Sequence, residues 1–569
     1  MFVNSTNQKP NNPLITNMRP KLISLLLLWA ELKKLLPNSG LTNRPLPVTT
    51  SVSAKNTSAV RRARRSAAGA SSATKGNPFA GRLKRPPFVL PNPARNRWML
   101  PVMVMCGLLW WQSVGRAQSK PPEITASVNA SASERENPHT NAPTGLFGAT
   151  NGSGSQVPVS LRPFQLVLPR QHLFDDWWGY RSKVEGLGIT PTMTFVTDIA
   201  GNVTGGKNQG TTHADNLGLD LQFDLDTLFG LKGGSFLASM SQRSGTSLSK
   251  EHVGNVFTIQ QVYGGQTFHL IDLAYQQNLF DDRIEFRLGR IAAGDDFLVS
   301  PYDWVFMQNG FDGNPVGIFF NSPGMTAYPN AAWGMRVKVR PTERTYVMGG
   351  VYNGDTSIRQ IKHNGADMSM NGPVFVIGEA GYQRNGLPGD TGLIGNYRIG
   401  GWYDNAVFTD FETVGRGTPT TSKRGNWGIY TLNDQVLVSF GDRTNNSGLG
   451  VVGSAMISPD ESVSRMPYFF SAGVVARGFL LSRPADLAGF GVVFGRFSSD
   501  LRAAQHREQL FEPTVGAQDY ESVLEWAYRF YFRKSAVYFQ PDIQYVINPG
   551  GTHKLDNALV LGCEIGINF

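Results

Sequence analysis

Residues 525–533, "EWAYRFYFR", put Trp526, Tyr528, Phe530 and Phe532 on one side and Glu525, Ala527, Arg529, Tyr531 and Arg533 on the other. A period of two sends successive side chains to opposite faces of a strand. The pattern recurs. In "AVYFQPDIQYVI" (536–547), Val537, Phe539, Ile543, Tyr545 and Ile547 oppose Tyr538, Gln540, Asp542 and Gln544. In "RIEFRL" (283–288), Ile284, Phe286 and Leu288 oppose Arg283, Glu285 and Arg287. The final run, "NALVLGCEIGINF" (557–569), sets Leu559, Leu561, Cys563, Ile565, Ile567 and Phe569 against small or polar residues. Taken alone, that last run fits an edge strand of a soluble sandwich as well as the closing strand of a barrel.

The whole set decides between them. Nearly every run carries an apolar face, and the sequence offers no amphipathic helices to cover those faces. After Leu173 no window of about 20 apolar residues appears, so no helical span is expected. Strands that face lipid on one side and a wet lumen on the other need a closed barrel, in which every backbone group is paired.

The alternation predicts sixteen strands near 189–200, 214–225, 233–243, 266–277, 282–291, 329–340, 344–353, 374–384, 393–404, 425–440, 449–457, 468–478, 487–497, 523–533, 536–547 and 556–569. Connectors after even-numbered strands are short and those after odd-numbered strands mostly longer, the longest being 292–328. Outer-membrane barrels alternate short periplasmic turns with long outer loops in this way. The expected fold class is therefore an all-β, transmembrane antiparallel barrel of about 16 strands. "LFDDWWGYRSKVEGLGI" (173–189) is expected to be a short periplasmic helix, capped by Asp175 or Asp176, that closes the inner side.

Charge divides the chain. Residues 1–117 hold 18 Lys and Arg against one acid, Glu31, while residues 118–569 hold 35 against 42. A basic front on an acidic body reads as a targeting leader, and no nucleic-acid partner is expected. Trp98–Trp111, "WMLPVMVMCGLLWW", is a short apolar run behind a basic flank, as in a secretory signal peptide, with cleavage expected after Ala117. Residues 118–172 read as a disordered lead-in and 173–569 as the barrel domain. Cys106 leaves with the leader, so Cys563 has no intramolecular disulfide partner.

Several stretches resemble one family. "DDWWGYRSKVEGLGI" (175–189), "GLDLQFDLDTLFG" (218–230), "SQRSG" (241–245), "IEFRLGRIAAGDDF" (284–297), "GLPGDTG" (386–392) and "PDIQYVINPGGTHKLDNALVLG" (541–562) are similar to the carbohydrate-selective porins of Gram-negative outer membranes, the OprB-like family. The resemblance implies a sixteen-stranded channel passing small sugars by diffusion. It also implies that Phe569 belongs to a signal read by the barrel-assembly machinery.

Strand parity then locates the lumen chemistry. Arg243 on the third strand, Arg287 on the fifth, and Arg336 and Lys338 on the sixth form a basic stripe. The 292–328 loop carries Asp295, Asp296, Tyr302, Trp304, Asn309 and Asp312. If it folds into the pore, acids and aromatics face arginines. Neutral sugars suit such a wall: hydroxyls accept from Arg and donate to carboxylates, and C–H faces stack on rings. The alternatives are a general or anion-preferring porin, and a loop tryptophan that merely packs its loop. The eight histidines form no metal-spaced pair, and no nucleophile elbow or phosphate loop occurs, so neither catalysis nor a cofactor is expected. Expected partners are small neutral sugars, outer-membrane lipid and the assembly machinery; whether a second copy joins them is left open.

Overall fold

The protein is described from a computed structural model covering residues 172–569, except 265, 312–313, 357–363, 366–369, 388–389, 391, 441–446, 481 and 533–535. The leader, the Ala117 cleavage site and Asp312 lie outside the described residues.

Sixteen antiparallel strands close into one barrel. They are β1 (Ile189–Gly206), β2 (Gly210–Asp224), β3 (Gly234–Gly245), β4 (Phe268–Leu279), β5 (Ile284–Ile291), β6 (Ala332–Thr342), β7 (Thr345–Asn353) and β8 (Val374–Arg384). The second half comprises β9 (Gly395–Thr409), β10 (Ser422–Ser439), β11 (Gly448–Ile457), β12 (Tyr468–Arg477), β13 (Leu487–Arg496), β14 (Tyr520–Phe532), β15 (Val537–Ile547) and β16 (Asp556–Asn568). Each strand pairs with its sequence neighbours, and β16 closes on β1 with Phe195 opposite Ile567 and Ile199 opposite Cys563. Among the described residues no sheet edge remains, which is what a lipid environment requires.

The two faces differ as the alternation demands. On β14, Trp526 is 54% exposed while Arg529 is 1% exposed. Leu288, Val337, Val347, Ile399, Ile429, Phe490 and Leu561 stand out on the same outward parity. In water these rows would each forfeit transfer free energy; facing hydrocarbon they do not.

At the seam, the Leu173 N–H donates to the Asn568 carbonyl at 2.8 Å and the Phe569 N–H donates to Met193 at 2.9 Å. The Phe174 ring lies 5.9 Å from Phe569. The helix expected over 173–189 is broken: a 3₁₀ turn spans Trp177–Gly179, and α1 spans Tyr180–Gly186. Trp177, Trp178 and Gly179 have φ of 49°, 57° and 85°, which cannot continue a right-handed helix. Gly179, not an aspartate, is the residue that caps α1, and the Asp176 carboxylate reaches past it to accept from Ser182 N at 2.7 Å and Ser182 Oγ at 2.6 Å. Two further short helices are α2 (Leu225–Phe229) and α3 (Gly317–Asn321). A longer one, α4 (Ser499–Glu508), has Ser498 Oγ accepting from Asp500 N and Leu501 N. The sequence reading had only one helix and passed over α4.

Two loops pack among inward-facing side chains. The β5–β6 loop (292–331) buries Phe297, Leu298, Val305, Phe306, Met307, Phe311, Ile318 and Met325. The β3–β4 loop (246–267) buries Leu248, Val253, Phe257 and Ile259. Gly473 on β12 and Gly489 and Gly491 on β13 make room for this core; a Cβ at Gly491 would sit 2.6 Å from the Phe311 ring. The rings of Phe306 and Phe311 stack at 4.3 Å. Each ring buried this way contributes about 2–3 kcal/mol. The two loops also brace each other: Asn309 N donates to Thr258 O, and Gln261 N donates to Met307 O, both at 3.0 Å.

Candidate functional site

On β5 and β6 the register sets Glu285 opposite Lys338 and Arg287 opposite Arg336, all on the inward parity. The β5–β6 loop returns two carboxylates to this wall. A 3₁₀ turn at Ala293–Asp295 presents them. Asn314 Nδ2 holds the turn by donating to the carbonyls of Gly294, Phe297 and Leu298 at 2.8, 2.9 and 3.0 Å. The loop's two ends are tied where Ala293 N donates to Thr326 Oγ1 and Gly294 N donates to Thr326 O.

The result is a buried ion network. Arg287 meets Asp296 at 3.2 Å and Asp295 at 3.9 Å. Arg336 meets Asp296 at 2.8 Å and Glu285 at 3.0 Å. Arg340 pairs with Glu285, and the Lys338 ammonium sits 4.4 Å from the centre of the Tyr346 ring. Burial pushes the Asp296 carboxyl up, but Arg336 and Arg287 outweigh it and hold the group at about 2. Four cations thus face three carboxylates, and most of the positive charge is compensated within the wall.

Arg243 forms a separate corner on β3, 5% exposed. Its Nε donates to Asn216 Oδ1 at 3.0 Å, and its guanidinium lies 5.1 Å from the centre of the Tyr328 ring. Arg290, whose direction the sequence left open, is fully buried and donates from Nε to the Ile271 carbonyl.

The expected site is therefore split. Arg287, Arg336, Lys338, Asp295 and Asp296 come together. Tyr302 and Trp304 do not face them: these residues sit on the far side of the loop, Tyr302 against Gly450 of β11 and Trp304 beneath Arg529 of β14, which donates to its carbonyl at 3.0 Å. They are 2% and 9% exposed, so Trp304 is loop core rather than an open stacking face. Asn309 is half-buried at the brace between the two loops.

The sequence reading missed a row of wall groups that hydrogen-bond the loops. Glu525 accepts from Met307 N and Gln308 N. Glu521 accepts from Val256 N, Phe257 N and Gly550 N. Glu379 accepts from Leu298 N, and Asp404 accepts from Gly324 N and Ser322 Oγ. Gln540 Nε2 donates to the Val305 carbonyl at 3.0 Å. Their inward parity was readable; their engagement with loop N–H groups was not.

Comparison with known proteins agrees with this architecture. Residues 208–569 match the family model described as "Carbohydrate-selective porin, OprB family". "Porin B" of Pseudomonas aeruginosa is 27% identical over 431 residues, covering 70% of this chain and 91% of that protein. "Putative porin QuiX" of Acinetobacter baylyi is 27% identical over 435 residues, covering 70% and 93%. The high-pH structure of Pseudomonas putida OprB superposes with a TM-score of 0.65 at 26% identity, covering 71% of this chain and 99% of that one.

Proposed function

The chain belongs to the OprB family of carbohydrate-selective porins and forms an outer-membrane β-barrel through which sugars pass, and we propose that its selectivity resides in the wall formed by Arg243, Arg287, Arg336, Lys338, Asp295 and Asp296. The family and its named relatives are channels, and diffusion through this pore involves no chemical step. Arg243, Arg287 and Arg336 are 5%, 2% and 4% exposed, so a sugar meets only the edges of these guanidinium groups, whose directions their partners fix. The compensation of the stripe carries this reading. A wall whose Arg287 and Arg336 are matched by Asp295, Asp296 and Glu285 offers paired donors and acceptors to a neutral polyol and holds a reduced net field for an anion.

Liposome swelling with a size series of neutral sugars, run beside a series of organic anions, tests this. Swelling should follow sugar size and exceed that for anions of equal size. Arg243→Ala should weaken sugar block of the ion current about threefold while the barrel assembles normally, since Asn216 Oδ1 keeps the Tyr328 hydroxyl as a partner. Swelling that favours anions would make the anion-preferring porin the better description.

A further inference from the structure

We propose that Tyr328 is a positioning residue for sugar recognition, fixing the direction of Arg243; this rests on the reading of the arginine stripe as the sugar-contacting wall. The geometry is a closed triad. Asn216 Oδ1, on β2, accepts from Arg243 Nε at 3.0 Å and from the Tyr328 hydroxyl at 3.0 Å. The Tyr328 ring underlies the guanidinium at 5.1 Å. Asn216 and Arg243 are 3% and 5% exposed, so neither arm is a solvated surface contact. A flat cation held edge-on by an amide oxygen and face-on by a ring keeps one orientation.

The tyrosine's own position is set by the pore loop. It packs against Ile271, Ala292 and Ala331. Two residues earlier, Thr326 is bonded to Ala293 and Gly294, the turn that carries Asp295. One loop therefore presents the carboxylates to Arg287 and Arg336 and also orients Arg243. The space for this arrangement comes from Gly218: a Cβ there would lie 3.2 Å from the Tyr328 hydroxyl and 2.9 Å from Thr194 Oγ1.

Planar-bilayer recording of sugar block on the full chain tests the proposal with Y328F, Y328L, G218A, R243A and the R243A/Y328L double variant. Losing the hydroxyl alone should weaken block about twofold, and losing the ring about threefold, as much as removing Arg243 itself. G218A should weaken it about twofold by displacing the hydroxyl. The ratio of anion to cation permeability should not move in any of the three, because no charge is removed; a general loss of structure would move it. Block in the double variant should be no weaker than in R243A, since Tyr328 acts through that arginine. Wild-type block in Y328L, or losses that multiply in the double variant, would overturn the proposal. If Y328L does not assemble, Y328F and G218A decide by the same criteria. A wild-type channel that no sugar blocks, and that admits none into liposomes, overturns the sugar-wall reading and this inference with it; a blocked wild type with unaffected Tyr328 variants overturns the inference alone.

Discussion

Asp296→Asn tests the ion network most directly. The carboxylate joins Arg336 at 2.8 Å and Arg287 at 3.2 Å. Each such charge-assisted contact is worth about 1.5–3 kcal/mol. The loss is partly buffered, because Arg336 keeps Glu285 at 3.0 Å and Arg287 keeps Asp295 at 3.9 Å. A net cost of about 2–3 kcal/mol follows. The titration gives an independent figure. Lowering the carboxyl from 3.8 to about 2 corresponds to about 2 kcal/mol at neutral pH. The folded value is depressed, so this stability is present above the ordinary carboxylate range and is lost as pH falls through about 2. Wild type and D296N should therefore differ in heat-induced barrel unfolding at pH 5–7 and converge between pH 4 and 2. The variant also leaves four cations facing two carboxylates, so its reversal potential in a salt gradient should shift toward anions. Equal unfolding temperatures at pH 7 together with an unchanged reversal potential would refute the network as described.

Asp303 is the opposite case: burial, then the neighbouring Asp434, raise its carboxyl well above the usual range, only partly offset by Arg398. Neither oxygen has a hydrogen-bond partner among the described residues. Its folded-state stability declines as pH rises past the ordinary carboxylate value, so D303N should match wild type near pH 4 and unfold at higher temperature at pH 7; a variant no more stable at pH 7 contradicts this. Glu525→Ala strands the N–H groups of Met307 and Gln308, at about 2–4 kcal/mol of local loop stability. Single-channel conductance should rise and become noisy, and steady wild-type current would count against the anchor. Deleting Phe569 removes its bond to Met193 and its contact with Phe174. Outer-membrane yield, read by heat-modifiable mobility, should fall severalfold, and an unchanged yield would remove Phe569 from barrel assembly.

Much of the barrel could be read directly because one physical cause dominates it. Outward rows such as Trp526, Tyr528, Phe530 and Phe532 reflect a single solvent boundary, and a period of two reports that boundary residue by residue. The same signal places Arg287 and Arg336 inward and adjacent. It says nothing about what an inward group meets. Glu525 and Glu285 have the same parity, yet one binds loop amides and the other arginines. Trp304 could be read either as a stacking ring or as loop packing, because loop sequence carries no period; in the fold it is 9% exposed, with Arg529 of β14 donating to its carbonyl. The break at Trp177–Trp178 follows directly on the residues held at the seam, Leu173 and Phe174, which no local pattern announced. Helix α4 did carry a local signal, Ser498 ahead of Asp500, that the barrel pattern overshadowed.

The anchors of the two inner loops have a consequence for assembly. Phe257 is held by Glu521, 264 positions away, and Met307 by Glu525, 218 positions away. Contacts that close such long stretches of chain form late, because nothing rewards the ordering until both ends are in place. Their acceptors point inward only once the surrounding wall has curved round. A barrel that closed before these loops docked would be a wider hole, and docking would be the step that turns it into a filter. The permeability of newly made barrels would then depend on the docking rate of two loops as well as on membrane insertion.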